Sequence, residues 1–216
     1  MDWELARFNM VEQQIRPWDV LDKDVLQALL EVKREQFVPA AVRDMALVDM
    51  ELPLGGGRTM WQPKLEARVV QDLTLKASDR VLEIGTGCGY LTALLARFTR
   101  HVYTVEVDAA QADVARDNLR HNGVTNVTVE QGDAVQGWGK HGPYDVIVAG
   151  GAYAAEPTFL FDQLAEGGRL FAVVGSQPIM SANLYTKVGG AVSCESLFET
   201  VLPVLAGAPK VSAFSF

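Results

Sequence analysis

From residue 79 onward the chain alternates between two hydrophobic periods. Short apolar, β-branched runs at 80–84, 101–106, 126–130, 144–149 and 169–174 have the length of strands. Between them, residues 89–98, 109–121 and 157–164 read as helices, and a strand–helix rhythm of this kind predicts a parallel sheet. Asp108 and Gln111 resemble a capping box at the start of the second helix, and Gly123 stands where a left-handed stop belongs. Residues 183–188 and 194–202, joined around Gly189–Gly190, predict an antiparallel hairpin that extends the sheet.

The first 78 residues follow a different pattern. Residues 11–15 read as a short helical stretch, and Asp22 caps a helix carrying Val25, Leu26, Leu29, Leu30 and Val32 on one face until Phe37-Val38-Pro39 stops it. Leu52-Pro53-Leu54-Gly55-Gly56-Gly57 reads as a loop, and Gln62-Pro63 introduces a helix over 64–73 with Leu65, Val69 and Leu73 at helical spacing. No repeat or flexible linker separates these zones, so we expect one domain: a helical and loop extension at 1–78, a core at 79–175 and C-terminal strands at 176–216. The fold class is α/β, with a doubly wound, mostly parallel sheet.

Composition narrows the function. With 216 residues and 49% apolar content the chain can bury a sizeable core. A net charge of −8, with no clustered Lys or Arg, argues against a nucleic-acid partner. No apolar run approaches the roughly 18 residues that span a bilayer, and the start Met-Asp-Trp-Glu has no signal-peptide pattern, so a cytoplasmic location without a membrane partner is expected. Cys88 and Cys194 are too few for a disulfide framework, and His101, His121 and His141 lack metal-ligand spacing. The oligomeric state is not readable.

The chemistry concentrates at the ends of the expected strands. Gly85, Gly87 and Gly89 form G-x-G-x-G directly after the first core strand, with Glu83 ahead of them. Glycine suits a sharp strand-to-helix turn that exposes backbone N–H groups to a ligand. The dinucleotide fingerprint would want glycine or alanine at Tyr90, and Glu83 would repel a pyrophosphate but attract a cation. Glu106, ending the second core strand, can accept both hydroxyls of a ribose, and Asp133, after the third, suits an adenine amino group. Thr86, Val107 and Ala134 lie in the same three segments. A sulfonium with an amino-acid tail and an adenosine matches this set, so the expected cofactor is S-adenosylmethionine and the expected activity methyl transfer.

The segments Met10–Arg16, Phe37-Val38-Pro39, Leu52–Gly57, Thr59 with Gln62-Pro63, Val81–Tyr90, Val102–Glu106, Gly132-Asp133 with Gly137-Trp138, Gly167–Leu170 and Val174-Gly175 resemble the protein-L-isoaspartate O-methyltransferase family. The resemblance implies a Rossmann-like methyltransferase fold. It also implies methylation of isoaspartyl carboxylates in aged proteins and peptides, whose esters collapse to succinimides and reopen partly to aspartate. The family's loop usually reads Gly-Gln-Thr-Ile-Ser-Gln/Ala-Pro, whereas residues 57–63 here are Gly-Arg-Thr-Met-Trp-Gln-Pro. Thr59 survives, Trp61 replaces the serine, and Ala134 stands where glycine is common.

A carboxylate acceptor needs no general base, so catalysis rests on positioning and desolvation. Thr59 could hydrogen-bond the acceptor and Arg58 could clamp it, or Arg58 is a solvated loop charge. Trp61 reads equally as core packing or pocket lining, while Trp18 and Trp138 read as packing. Two rivals remain: a paralogue acting on another acceptor, such as a small aromatic molecule stacked on Trp61, and a protein that binds the cofactor without turnover.

Overall fold

The computed structural model describes residues 1–209. Helix α1 (Trp3–Met10) starts at Asp2, whose side chain accepts from the Leu5 N–H, and runs into a π-type turn at Val11–Ile15. The helical stretch expected at 11–15 is therefore the tail of a longer helix whose amino end is fixed by that cap. Asp22 caps α2 (Lys23–Glu31) as expected, its Oδ1 accepting from Asp24 and Val25. Pro63, with its missing N–H and fixed φ, opens α3 (Pro63–Asp72).

Residues 52–57 are not the irregular loop expected of them. Strand β1 (Leu52–Gly55) pairs antiparallel with β2 (Arg58–Met60) in a small hairpin. Gly55, Gly56 and Gly57 all have positive φ, at +90°, +59° and +77°, which folds the chain back tightly enough for the strands to meet. Their glycine content, which reads as a loop, is what makes the turn.

Seven further strands form the main sheet: β3 (Arg80–Ile84), β4 (His101–Glu106), β5 (Val127–Gln131), β6 (Tyr144–Tyr153), β7 (Leu164–Ser176), β8 (Ile179–Val188) and β9 (Ala191–Thr200). Their order is β5-β4-β3-β6-β7-β8-β9; the first five run parallel and the last two add antiparallel pairs, as the hairpin reading expected. Helix α4 (Tyr90–Phe98) links β3 to β4, and α5 (Ala109–His121) links β4 to β5. The helix expected at 157–164 is instead a 3-10 segment, Thr158–Gln163. Only these six residues separate Pro157 from β7, too few to recover the cost of nucleating an α-helix.

Strand residues alternate between two buried faces. Val81, Val102, Val146, Val148 and Phe171 join the core shared with α2, α3 and α4, while Leu82, Val105, Ile147, Ala149 and Leu170 join a second core with Tyr144, Tyr153 and Leu160. This two-sided burial is why the strands read as continuous apolar runs. Asp79, just before β3, takes hydrogen bonds from the Lys76 N–H and from Arg169 of β7, fixing the approach to the sheet. Among the described residues no helix is long and apolar enough to cross a membrane.

Candidate active site

Strand order reverses between β3, which continues outward through β4, and β6, which returns on the other side. A crevice opens at the carboxyl ends of the strands at such a point. Here it is a cleft of about 380 Å³. Its wall includes Glu83, Gly85, Thr86, Gly87, Glu106, Val107, Asp133 and Ala134 on the glycine-loop side, and Arg58, Thr59 and Trp61 on the hairpin side. The structure thus brings together every candidate residue except Gly89. Gly89 caps α4 with φ +86°, and a Cβ there would sit 3.1 Å from Leu119, so its part is packing.

The glycines do not offer their N–H groups to a ligand, contrary to the sequence reading. Gly85 N–H donates to Val105 O at 2.9 Å, Gly87 N–H to Glu106 Oε2 at 3.1 Å and Gly89 N–H to Thr86 O at 3.0 Å. The first two tie the loop to the end of β4 and the third closes the loop on itself; the left-handed backbone at Gly85 and Gly87, with φ +91° and +54°, is what only glycine readily supplies.

Glu106 is 4% exposed, and its two oxygens accept from the N–H groups of Gly87 and Asp108 at 3.1 and 3.2 Å. A carboxylate has about four acceptor sites, so two backbone bonds orient Glu106 and leave capacity for a diol. Asp108 accepts from the Gln111 N–H, but Gln111 does not return the bond as a capping box would. Its side chain donates instead to Gly87 O at 2.7 Å, bracing the glycine loop. The Thr86 and Thr104 hydroxyls are 2.7 Å apart beneath that loop.

Glu83 is buried and accepts from the Thr92 hydroxyl at 2.5 Å. Burial pushes its pKa up to about 7 against the Thr92 bond, so a cation bound nearby would draw it to the ionised form. Asp133 lies exposed at the rim; its Oδ1 accepts from the Val135 N–H, so it makes the turn after β5 as well as edging the cleft. Burial pushes the Cys88 thiol up to about 12, which leaves it an unreactive packing group.

On the acceptor side, Arg58 donates to Asp108 Oδ2 at 3.0 Å, a half-exposed pair that joins the hairpin to the start of α5. Trp61 is only 6% exposed, its ring 6.4 Å from that of Phe171, so the indole serves as core and as cleft wall together. Trp18 is 45% exposed with Lys64 over its ring at 4.0 Å, and Trp138 is part-buried, donating its indole N–H to Glu130.

Several wall residues escaped the sequence reading. Gly150 closes on the loop so tightly that a Cβ would lie 2.6 Å from Ile84 O and 2.7 Å from Gly85 O. It lies in the carboxyl half of β6, on the side of the sheet where Glu106 and Asp133 also stand. Glu66 on α3 is buried, and burial pushes its pKa up to about 8 against the opposing Arg34 charge. The tail residues Pro203, Val204, Leu205 and Ala206 also line the cleft, held where Ala152 N–H donates to Pro203 O and Leu205 N–H to Ala152 O. Nothing local in the sequence marks that tail.

Comparison with known proteins gives a consistent result. The family model described as "Protein-L-isoaspartate(D-aspartate) O-methyltransferase (PCMT)" matches residues 6–206. A Koribacter versatilis protein-L-isoaspartate O-methyltransferase is 39% identical over 86% of this chain and 84% of its own. One from Methanoculleus marisnigri is 45% identical over 78% and 77%. Among solved structures, a protein-L-isoaspartate O-methyltransferase superposes with a TM-score of 0.81 at 28% identity, over 93% of this chain and 66% of that one. A Plasmodium falciparum protein solved with S-adenosyl-L-homocysteine superposes with a TM-score of 0.78 at 20% identity, which speaks for the fold alone.

Proposed function

Because the chain belongs to the protein-L-isoaspartate O-methyltransferase family, S-adenosylmethionine-dependent enzymes, we propose that it methylates the free carboxylate of isoaspartyl residues in proteins and peptides. The observation that carries this reading is the meeting of two half-sites in one cleft: a glycine loop braced by Glu106, and the β1–β2 hairpin bearing Thr59.

The cleft fits the cofactor. Ile84, Val105, Val135 and Leu205 supply apolar walls, and no Cβ at Gly85 or Gly150 narrows the floor. Glu106 would hold the ribose diol, Asp133 and Ala134 would lie by the adenine, and Glu83 would face the cationic end. When bound, the sulfonium supplies an electrophilic methyl that passes to a carboxylate oxygen as its carbon–sulfur bond breaks, leaving a neutral thioether. The protein's part is to place the acceptor and exclude water. Thr59 would hydrogen-bond the acceptor, with Trp61 and the 203–206 tail lining the same cleft. Arg58, paired with Asp108, would reach the acceptor only by exchanging that partner.

The test is transfer of labelled methyl from S-adenosylmethionine to an isoaspartyl peptide, beside its aspartyl isomer and a metabolite extract. Selective labelling of the isoaspartyl peptide is the expected result; labelling of an extract component alone would replace the acceptor.

A further inference from the structure

Glu66 holds a place that the reading above leaves unused. It lies in the first turn of α3, just past Trp61, is 2% exposed and lines the cleft alongside Thr59. Its Oε2 is held by Arg34, a side chain fully removed from solvent. Its Oε1 takes no hydrogen bond among the described residues, and the side chain lines the cleft. An ionised carboxylate there would repel a carboxylate acceptor.

We infer that Glu66 is a hydrogen-bond donor to the acceptor carboxylate, presenting the proton of a neutral acid from Oε1 while Arg34 holds Oε2. The inference rests on the acceptor being the isoaspartyl carboxylate proposed above. Arg34 fixes the side on which the proton sits, because the oxygen that accepts from a guanidinium is the poorer place for it. Arg34 is not held by Glu66 alone: it also donates to Ala46 O at 2.8 Å and Trp61 O at 2.6 Å, and lies 5.1 Å from the centre of the Tyr90 ring.

The titratable groups around Glu66 are Arg34, Glu83 of β3, Cys88 of the glycine loop and Tyr90 of α4. Lys23, Asp24 and Glu31 of α2 are solvent-exposed, and Glu12 of the π-type turn pairs with Arg16. Burial outweighs Arg34, and neighbouring Glu83 adds to it, so the acid keeps its proton up to about pH 8. Glu66 is therefore a donor at neutral pH and loses that capacity above it.

The test compares wild type with Glu66→Gln and Glu66→Ala, measuring the KM of an isoaspartyl peptide from pH 6.5 to 9 and the affinity for S-adenosyl-L-homocysteine by calorimetry. Carbon-13 NMR of the labelled glutamate carboxyls follows Glu66 directly. In wild type, KM should rise with pH as the Glu66 carboxyl titrates. Glutamine keeps a donor in its amide, so Glu66→Gln should retain the low-pH KM within a few-fold and lose the pH dependence. Glu66→Ala should raise KM roughly tenfold or more, with cofactor affinity unchanged in both variants. A pH-independent wild-type KM, or a glutamine variant no better than alanine in a folded protein, would overturn the donor role and leave the isoaspartyl activity standing. No transfer by wild type at any pH would instead overturn the acceptor itself, and the donor role with it.

Discussion

At the scale of single residues, the cleft depends on a few side chains that backbone groups aim. Glu106 is the clearest, since two N–H groups orient it before any ligand arrives. Glu106→Gln should weaken S-adenosyl-L-homocysteine binding by about 1.5–3 kcal/mol, because bonds to a charged acceptor become bonds to a neutral one. Titration calorimetry reads this; an unchanged dissociation constant in the folded variant would move the ribose contact elsewhere. Trp61 gives the opposite lesson. The sequence invites restoring the family's serine there, but the indole is buried against Phe171. Trp61→Ser should therefore cost about 3–5 kcal/mol of stability through the cavity it leaves. Urea denaturation checks it, and a loss under about 1 kcal/mol would show that the site collapses or that the indole packs loosely.

Between elements, Arg34 is the connection that positions the acceptor side. Its guanidinium reaches Ala46 O, the Trp61 carbonyl and Glu66, and lies over Tyr90, so one side chain ties the approach to β1, the segment after β2, α3 and α4 together. A lysine has the charge but not the planar fork. Arg34→Lys should thus leave two of these acceptors unsatisfied, at about 1–3 kcal/mol each. It should also loosen the hairpin, seen as faster amide exchange in residues 52–61 than in the strands of the main sheet. Equal protection in both variants would mean that the hairpin is held by its own pairing. Asp108 acts similarly on a smaller scale, capping α5 and holding Arg58; the Gln111 N–H, foremost, and Arg58 keep its carboxyl below the usual range.

For the whole molecule, the consequence of burying acids at the sheet edge is a distinctive pH dependence. Glu66 has its pKa raised from 4.5 to about 8, and Glu83 from 4.5 to about 7. Between those limits the unfolded chain has released protons that the folded one retains, so the unfolded state binds fewer and stability falls as pH rises. The fall begins near 4.5 and ends near 8. Denaturation free energies measured across that window should decline in wild type and decline less in Glu66→Gln. A wild-type stability that does not decline over the same window would mean that both acids are ionised in the folded state.

Local pattern determined much of this protein. Strand positions, the caps at Asp22 and Asp108, the stop at Gly123, the glycine loop and Glu106 are all legible because each is written in neighbouring residues and read by backbone geometry. The family resemblance added the acceptor loop, though not its folding as a hairpin. Tertiary structure decided the rest. That the glycine N–H groups turn inward, that Gly150 meets Gly85, that the tail at 203–206 lines the cleft and that Arg34 reaches Glu66 are contacts between segments far apart in the chain. Hydrophobic period says that a face is buried but not against what, so an acid such as Glu66 at the start of α3 reads as an ordinary first-turn residue until the helix is docked on the strand ends.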